Sequence, residues 1–146
     1  DIVITANGLN VKLFGGIELS VDGDAVNVAD RIAYKGMMLS EVPNLFLSFG
    51  YTNASWTLKC DLTSRYVCRV LNHMDRRGYR VCVPRLPEAG VEREPLIDFS
   101  SGYVQRAAGS LPKQGAREPW RVHQNYLRDL AAMKLRPVAD EAMEFR

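Results

Sequence analysis

Leu45-Phe46-Leu47-Ser48-Phe49-Gly50-Tyr51-Thr52-Asn53-Ala54-Ser55-Trp56-Thr57-Leu58-Lys59 is the stretch on which the fold turns. Leu45 to Phe49 is an apolar run without alternation, the pattern of a strand covered on both faces in a parallel α/β sheet. Gly50 frees the backbone to turn, and Asn53 or Ser55 suits the cap of a following helix. Open α/β sheets hold ligands where a strand's carboxyl end faces a helix amino terminus. The stretch therefore predicts a strand, a polar turn and a long helix, with the turn as the place to look for a ligand.

Beyond the turn, helical spacing runs from about Ala54 to Arg76. Trp56, Leu58, Leu62, Tyr66, Val70 and Met74 form a core stripe, and Lys59, Asp61, Arg65, Arg69 and Asn72 form the opposite, polar face. Gly78 stands where a helix terminator belongs. Before the stretch, Ile2 to Ala6 reads as a short strand stopped by Asn7-Gly8. Ile17 to Val21 and Ala25 to Val28 alternate around Asp22-Gly23, a hairpin signal. Ile32 to Leu39 reads as a further strand interrupted at Gly36. After the helix, prolines and charges from Tyr79 to Asp98 suggest an extended surface connection. Ser100 or Ser101 suits the cap of a short helix to about Ser110, and Leu111 to Gly115 breaks it. Pro119 is expected to open a last amphipathic helix carrying Trp120, Val122, Tyr126, Leu127, Leu130 and Met133, ended by Pro137 and followed by a charged tail.

Composition excludes more than it selects. The chain has 146 residues, 47% hydrophobic and 25% charged, with a formal net charge of +2. That suits one modest globular domain and argues against a nucleic-acid partner, which calls for a denser basic stripe. Cys60, Cys68 and Cys82 make neither a CxxC nor a paired framework and read as buried, reduced thiols of a cytoplasmic protein. His73 and His123 lack metal-ligand spacing, so no metal is expected. No run approaches the length of a transmembrane helix.

Chemistry from spacing alone is sparse. No glycine-rich phosphate loop, metal-binding HExxH or nucleophile–histidine–acid order is present. The candidate site is Tyr51, Thr52, Asn53, Ala54, Ser55, Trp56, Thr57 and Leu58. Its backbone N–H groups, added to the helix dipole, favour a phosphate, a carboxylate or another partly anionic edge. Tyr51 and Trp56 add flat apolar surface. The plainer alternative is that Asn53 or Ser55 simply caps the helix while Trp56 anchors it in the core.

Longer strings resemble a known family. Asp1-Ile2-Val3-Ile4-Thr5-Ala6-Asn7-Gly8-Leu9-Asn10 resembles the strand-end motif of flavin-containing and Baeyer–Villiger monooxygenases. Tyr34 to Ser40, Val42 to Leu45 and Gly50 to Lys59 look like the branch that contains the ethionamide-activating enzyme, as do Asp98 to Arg106 and Pro119 to Asp129. The resemblance implies the carboxyl-terminal part of a longer flavoprotein with two dinucleotide-binding domains, using FAD, NADPH and O2. A peroxyflavin would oxygenate a ketone or a soft sulfur or nitrogen centre of a small organic substrate. Residues 1–78 would belong to the FAD domain, and 79–146 would form a linker and helical extension packed on the remainder of the parent. Gly50 to Leu58 would pass beside the flavin ring. The glycine-rich cofactor loops of the family are missing from these 146 residues, so the isolated chain is expected to be inactive. Asn7 departs from the family's threonine. A rival from another class is a non-enzymatic binding or assembly module using the basic helices after Asp98.

Overall fold

The computed structural model describes residues 1–5, 8, 10, 13–97 and 102–146, without the side chain of Tyr103. Its elements are mixed α/β, but the sheets are small and antiparallel. The Asp22-Gly23 hairpin forms as expected, with β1 (Ser20–Val21) paired to β2 (Asp24–Ala25). The run from Ile32 makes a second hairpin, β3 (Ala33–Tyr34) and β4 (Met38–Leu39). Lys35 and Gly36 take φ of 49° and 67° at its tip, which is the left-handed backbone that a tight hairpin turn demands.

Helix α1 spans Trp56–Arg77 and ends at Gly78, whose φ of 71° accepts the left-handed cap without a Cβ penalty. Its buried face is Lys59, Leu62, Thr63, Tyr66, Val70 and Met74. The expected stripe is thus right from Leu62 onward and displaced at its start. Trp56 and Leu58 are 58% and 43% exposed, while Lys59, assigned to the polar face, is 3% exposed.

The parallel sheet is a correction. Leu45 to Gly50 is irregular and largely half-buried, tied by the Leu47 N–H to the Met37 carbonyl at 2.7 Å. Asp1 to Thr5 is likewise no strand, and Ile2, Val3 and Ile4 stand exposed. A strand requires a neighbour to satisfy its backbone, and among the described residues neither run has one. Ala6, Asn7 and Asp98 to Ser101 lie outside the described residues, so the motif end, the family departure at Asn7 and the proposed serine cap are not placed. The short helix expected there is α2 (Gly102–Ala107).

The second half is more than an extended connection. Cys82–Pro84 forms a buried strand, β5, and Arg93–Pro95 forms β6. Strand β6 pairs with β7 (Lys113–Gly115), where only a helix break was expected. Strand β5 pairs with β8 (Met143–Phe145) inside the supposed charged tail. Burial of Ala142 and Met143 beside Tyr66 and Met74 explains that pairing, because the tail closes the core over α1. The last helix is also shorter than read. Pro119 sits in a turn whose carbonyl accepts the Lys35 N–H, and Trp120 packs edge-on to Tyr34 at 5.7 Å. Only at Asn125, whose side chain accepts from the Arg128 N–H, does α3 (Tyr126–Leu130) begin. It continues through a π-helical turn, Ala131–Leu135, and stops before Pro137 as expected. Cys82 is buried as anticipated, but Cys60 is half-buried and Cys68 exposed.

Two buried polar knots join the halves. Tyr34 Oη donates to Asp140 Oδ2 at 2.7 Å and lies 3.2 Å from Tyr66 Oη, while Lys35 Nζ meets the same carboxylate at 2.9 Å. Lys59 Nζ meets Asp129 Oδ2 at 2.8 Å, and Tyr51 Oη donates to that oxygen at 2.7 Å. Removing one member strands a buried charge, which costs far more than losing a surface pair. Asp129→Ala should therefore lower unfolding free energy by about 3 kcal/mol or more in urea titration, against less than about 1 kcal/mol for the exposed Asp61→Ala.

The phenols add a pH dependence. Burial, as the first cause, raises Tyr34, Tyr51 and Tyr66 above the ordinary 10.0, with Tyr66 pushed up to about 12. The folded chain thus keeps protons that the unfolded chain releases. Their contribution to stability is complete below pH 10 and falls as pH rises toward 12. Urea midpoints should decline over that window, and Tyr66→Phe should flatten the decline.

Candidate functional site

The start of α1 is built in two layers. Gly50 brings the chain against Trp56 so closely that a Cβ there would lie 2.2 Å from the indole Cγ and 2.6 Å from the Trp56 Cα. Only glycine permits that approach. Tyr51 then turns inward, 2% exposed, with its hydroxyl on Asp129. Thr52 to Leu58 remain at the surface.

Inside this turn the polar side chains are already engaged. The Thr52 N–H and hydroxyl donate to Gln124 Oε1 at 3.0 and 3.1 Å. Asn53 Nδ2 donates to the Gln124 carbonyl at 3.0 Å. The capping alternative fails in its simple form. Ser55 occupies the N-cap position, yet its hydroxyl pairs with Thr57 Oγ1 at 2.8 Å and makes no cap bond. Nor does Trp56 anchor the helix in the core, since more than half of it is exposed. Among the described residues no side chain caps the N–H groups with which the helix opens, beside an exposed indole and the exposed Leu58.

Sequence reasoning did not find Lys59, Asp129 or Gln124. Gln124 and Asp129 carry no local signal, because their roles exist only after the last segment folds back on the turn. Lys59 had one: it precedes Thr63, Tyr66 and Val70 at helical spacing and so falls on the buried stripe. Burial holds its ammonium below the usual lysine range, against the opposing pull of Asp129.

Behind the turn lies a mostly apolar cavity of about 230 Å3. Met37, Phe49 and Val122 line it together with Trp56, Lys59 and Gln124. No group of three or more histidine, cysteine or acidic side chains suited to a metal occurs among the described residues. No helix among them is long and apolar enough to cross a membrane. Three arginines of the second half are set against carboxylates. Arg85 pairs with Glu41 and Glu144, Arg136 with Glu118, and Arg121 lies 3.8 Å from Glu94.

Comparison with known proteins agrees with the resemblance. The chain is 51% identical over 145 residues to the FAD-containing monooxygenase EthA of Mycobacterium tuberculosis, covering 99% of this chain and 30% of that protein. It is 50% identical to EthA of Mycolicibacterium smegmatis over the same shares. Over 146 residues it is 40% identical to "Probable FAD-binding monooxygenase AlmA" of Acinetobacter baylyi, covering 99% of this chain and 29% of that protein. No family model matches the chain, and no solved structure matches it. Along nearly all its residues the chain is thus similar to FAD-containing monooxygenases, and it spans about 30% of the length of the EthA relatives it matches.

Proposed function

We propose that this chain is the carboxyl-terminal part of an FAD- and NADPH-dependent monooxygenase, with the turn from Tyr51 to Leu58 lying against the flavin. The observation that carries this reading is the 51% identity to an FAD-containing monooxygenase across 99% of the chain. Residues 1–78 contribute to the FAD domain in this reading, and residues 79–146 brace it. Bound FAD, with NADPH as reductant, supplies the activation of O2 for transfer of one oxygen atom to a ketone or a soft sulfur or nitrogen centre. The parent works in the cytoplasm.

The chain's own residues have three tasks in this scheme. Trp56 and Leu58 cover one part of the ring and keep water from it. The uncapped N–H groups from Trp56 onward, with the helix dipole behind them, favour negative charge along the ring's edge. Thr52 and Asn53 hold the turn's shape through Gln124, and Tyr51 fastens it from below to Asp129. Ser55 and Thr57, bonded to each other, leave the helix start open.

The test uses the full-length protein. Trp56→Ala should weaken FAD binding about tenfold, roughly 1.4 kcal/mol, measured by flavin absorbance against free FAD. Because Trp56 is largely exposed, the apoprotein's melting temperature should move little. Unchanged flavin affinity and unchanged NADPH oxidation would overturn the placement. The 146-residue chain by itself should purify without a stoichiometric flavin spectrum, since most of the parent's length is absent from it.

A further inference from the structure

A groove of about 370 Å3 lies between α1 and the last helix, large enough for a small organic molecule. It shares no lining residue with the Gly50 to Leu58 turn or with the cavity behind that turn. Helical spacing gives it two kinds of lining. On α3 and its π-helical continuation, Tyr126, Leu130 and Met133 recur every three or four residues and present apolar surface. On α1, Asp61, Arg65 and Arg69 recur every four residues, and Lys134 follows Met133 on the other side. Three cations thus stand against one carboxylate.

The one carboxylate is already taken. Asp61 and Arg65, one helical turn apart, meet at 2.9 Å. Among the described residues neither Arg69 nor Lys134 is in an ion pair. Arg69 is half-buried, and its Nη1 and Nη2 donate to the Met133 and Arg136 carbonyls. Carbonyls at a helix end carry only partial charge, so they hold the guanidinium in place without neutralising it. Three of its five N–H donors remain for a ligand.

Charge then selects what the groove takes. A bound cation is repelled. A pure hydrocarbon covers the apolar lining but dries a half-buried guanidinium that has no counter-charge. A carboxylate carried on an alkyl chain answers both demands, since a guanidinium fork matches a carboxylate in geometry as well as charge. Met133 is 2% exposed, so the apolar lining is reached by a single chain entering the groove and not by a flat lipid surface. We propose that this groove is a binding site for a single-chain amphiphilic carboxylate, its alkyl chain on Tyr126, Leu130 and Met133 and its head group on Arg69 and Lys134. The inference goes beyond the flavin reading and does not depend on it, because none of these side chains belongs to the turn assigned to the flavin.

Calorimetry on the full-length protein with octanoate, butyrate, octan-1-ol and octylammonium tests it. Octanoate should bind at least about tenfold more tightly than butyrate, whose chain is too short to cover the apolar lining. It should bind about tenfold more tightly than octan-1-ol, and octylammonium should give no heat of binding. Lys134→Gln should weaken octanoate about threefold and Arg69→Gln about tenfold, with octan-1-ol changed less than about twofold in either variant. Added salt should weaken octanoate and leave octan-1-ol unaffected. No octanoate binding, octan-1-ol or octylammonium binding as well as octanoate, butyrate matching octanoate, or an octanoate affinity that both variants leave unchanged would each overturn the proposal. Sedimentation of the protein with phosphatidylglycerol vesicles, without binding of octanoate, would make the groove a membrane contact and overturn it as well. Lys134 is exposed, so Lys134→Gln and the wild-type ligand series decide the matter even where Arg69→Gln does not fold.

Discussion

Lys59, Asp129 and Tyr51 share one carboxylate oxygen in the interior, and the placement of every other part of the site follows from that contact. Lys59 belongs to the first turns of α1, Tyr51 to the loop before it, and Asp129 to the helix that returns from the far end of the chain. A lysine buried this deeply is tolerable only against a carboxylate, and a carboxylate only against a cation and a phenol. The knot therefore sets how α3 crosses α1. It also sets where Gln124 arrives, and hence how the Thr52-Asn53 turn is held.

The second knot acts in the same way at the other end of the core. Tyr34, Tyr66, Lys35 and Asp140 tie the hairpin tip to the segment that leads into β8. Between the knots lies a conventional apolar core of Ile32, Met38, Leu62, Val70, Trp120 and Met133. Hydrophobic burial supplies the driving force there, but it is not directional. The polar knots provide the direction, because a hydrogen-bonded charge pair tolerates far less displacement than two packed methyl groups.

This division explains the layered turn. Below, a rigid polar contact is locked and satisfied. Above, Trp56 and Leu58 are left uncovered and Ser55 turns away from the helix end it would ordinarily cap. The turn's buried polar contact thus lies beneath side chains that stand in the open. Natural sequences depart from local rules of this kind where function asks for it.

Several features were legible in the sequence because they are decided within a few residues. Asp22-Gly23 reverses the chain by its own backbone preferences, Gly78 ends α1 by accepting a left-handed conformation, and Leu62 to Met74 select one helix face by spacing. The resemblance carried by strings such as Tyr34 to Ser40, Gly50 to Lys59 and Pro119 to Asp129 was equally legible, being a matter of residue identity. Tertiary structure decided the rest. Leu45 to Phe49 reads as a buried strand, but strand formation needs a partner's N–H and C=O groups, and apolar character alone does not provide them. Met143 to Phe145 became a strand because β5 offered those groups. Lys59 looked like a surface lysine until a carboxylate distant in the chain came within 2.8 Å, since the free energy of burying a charge depends on its partner and not on its own residue type.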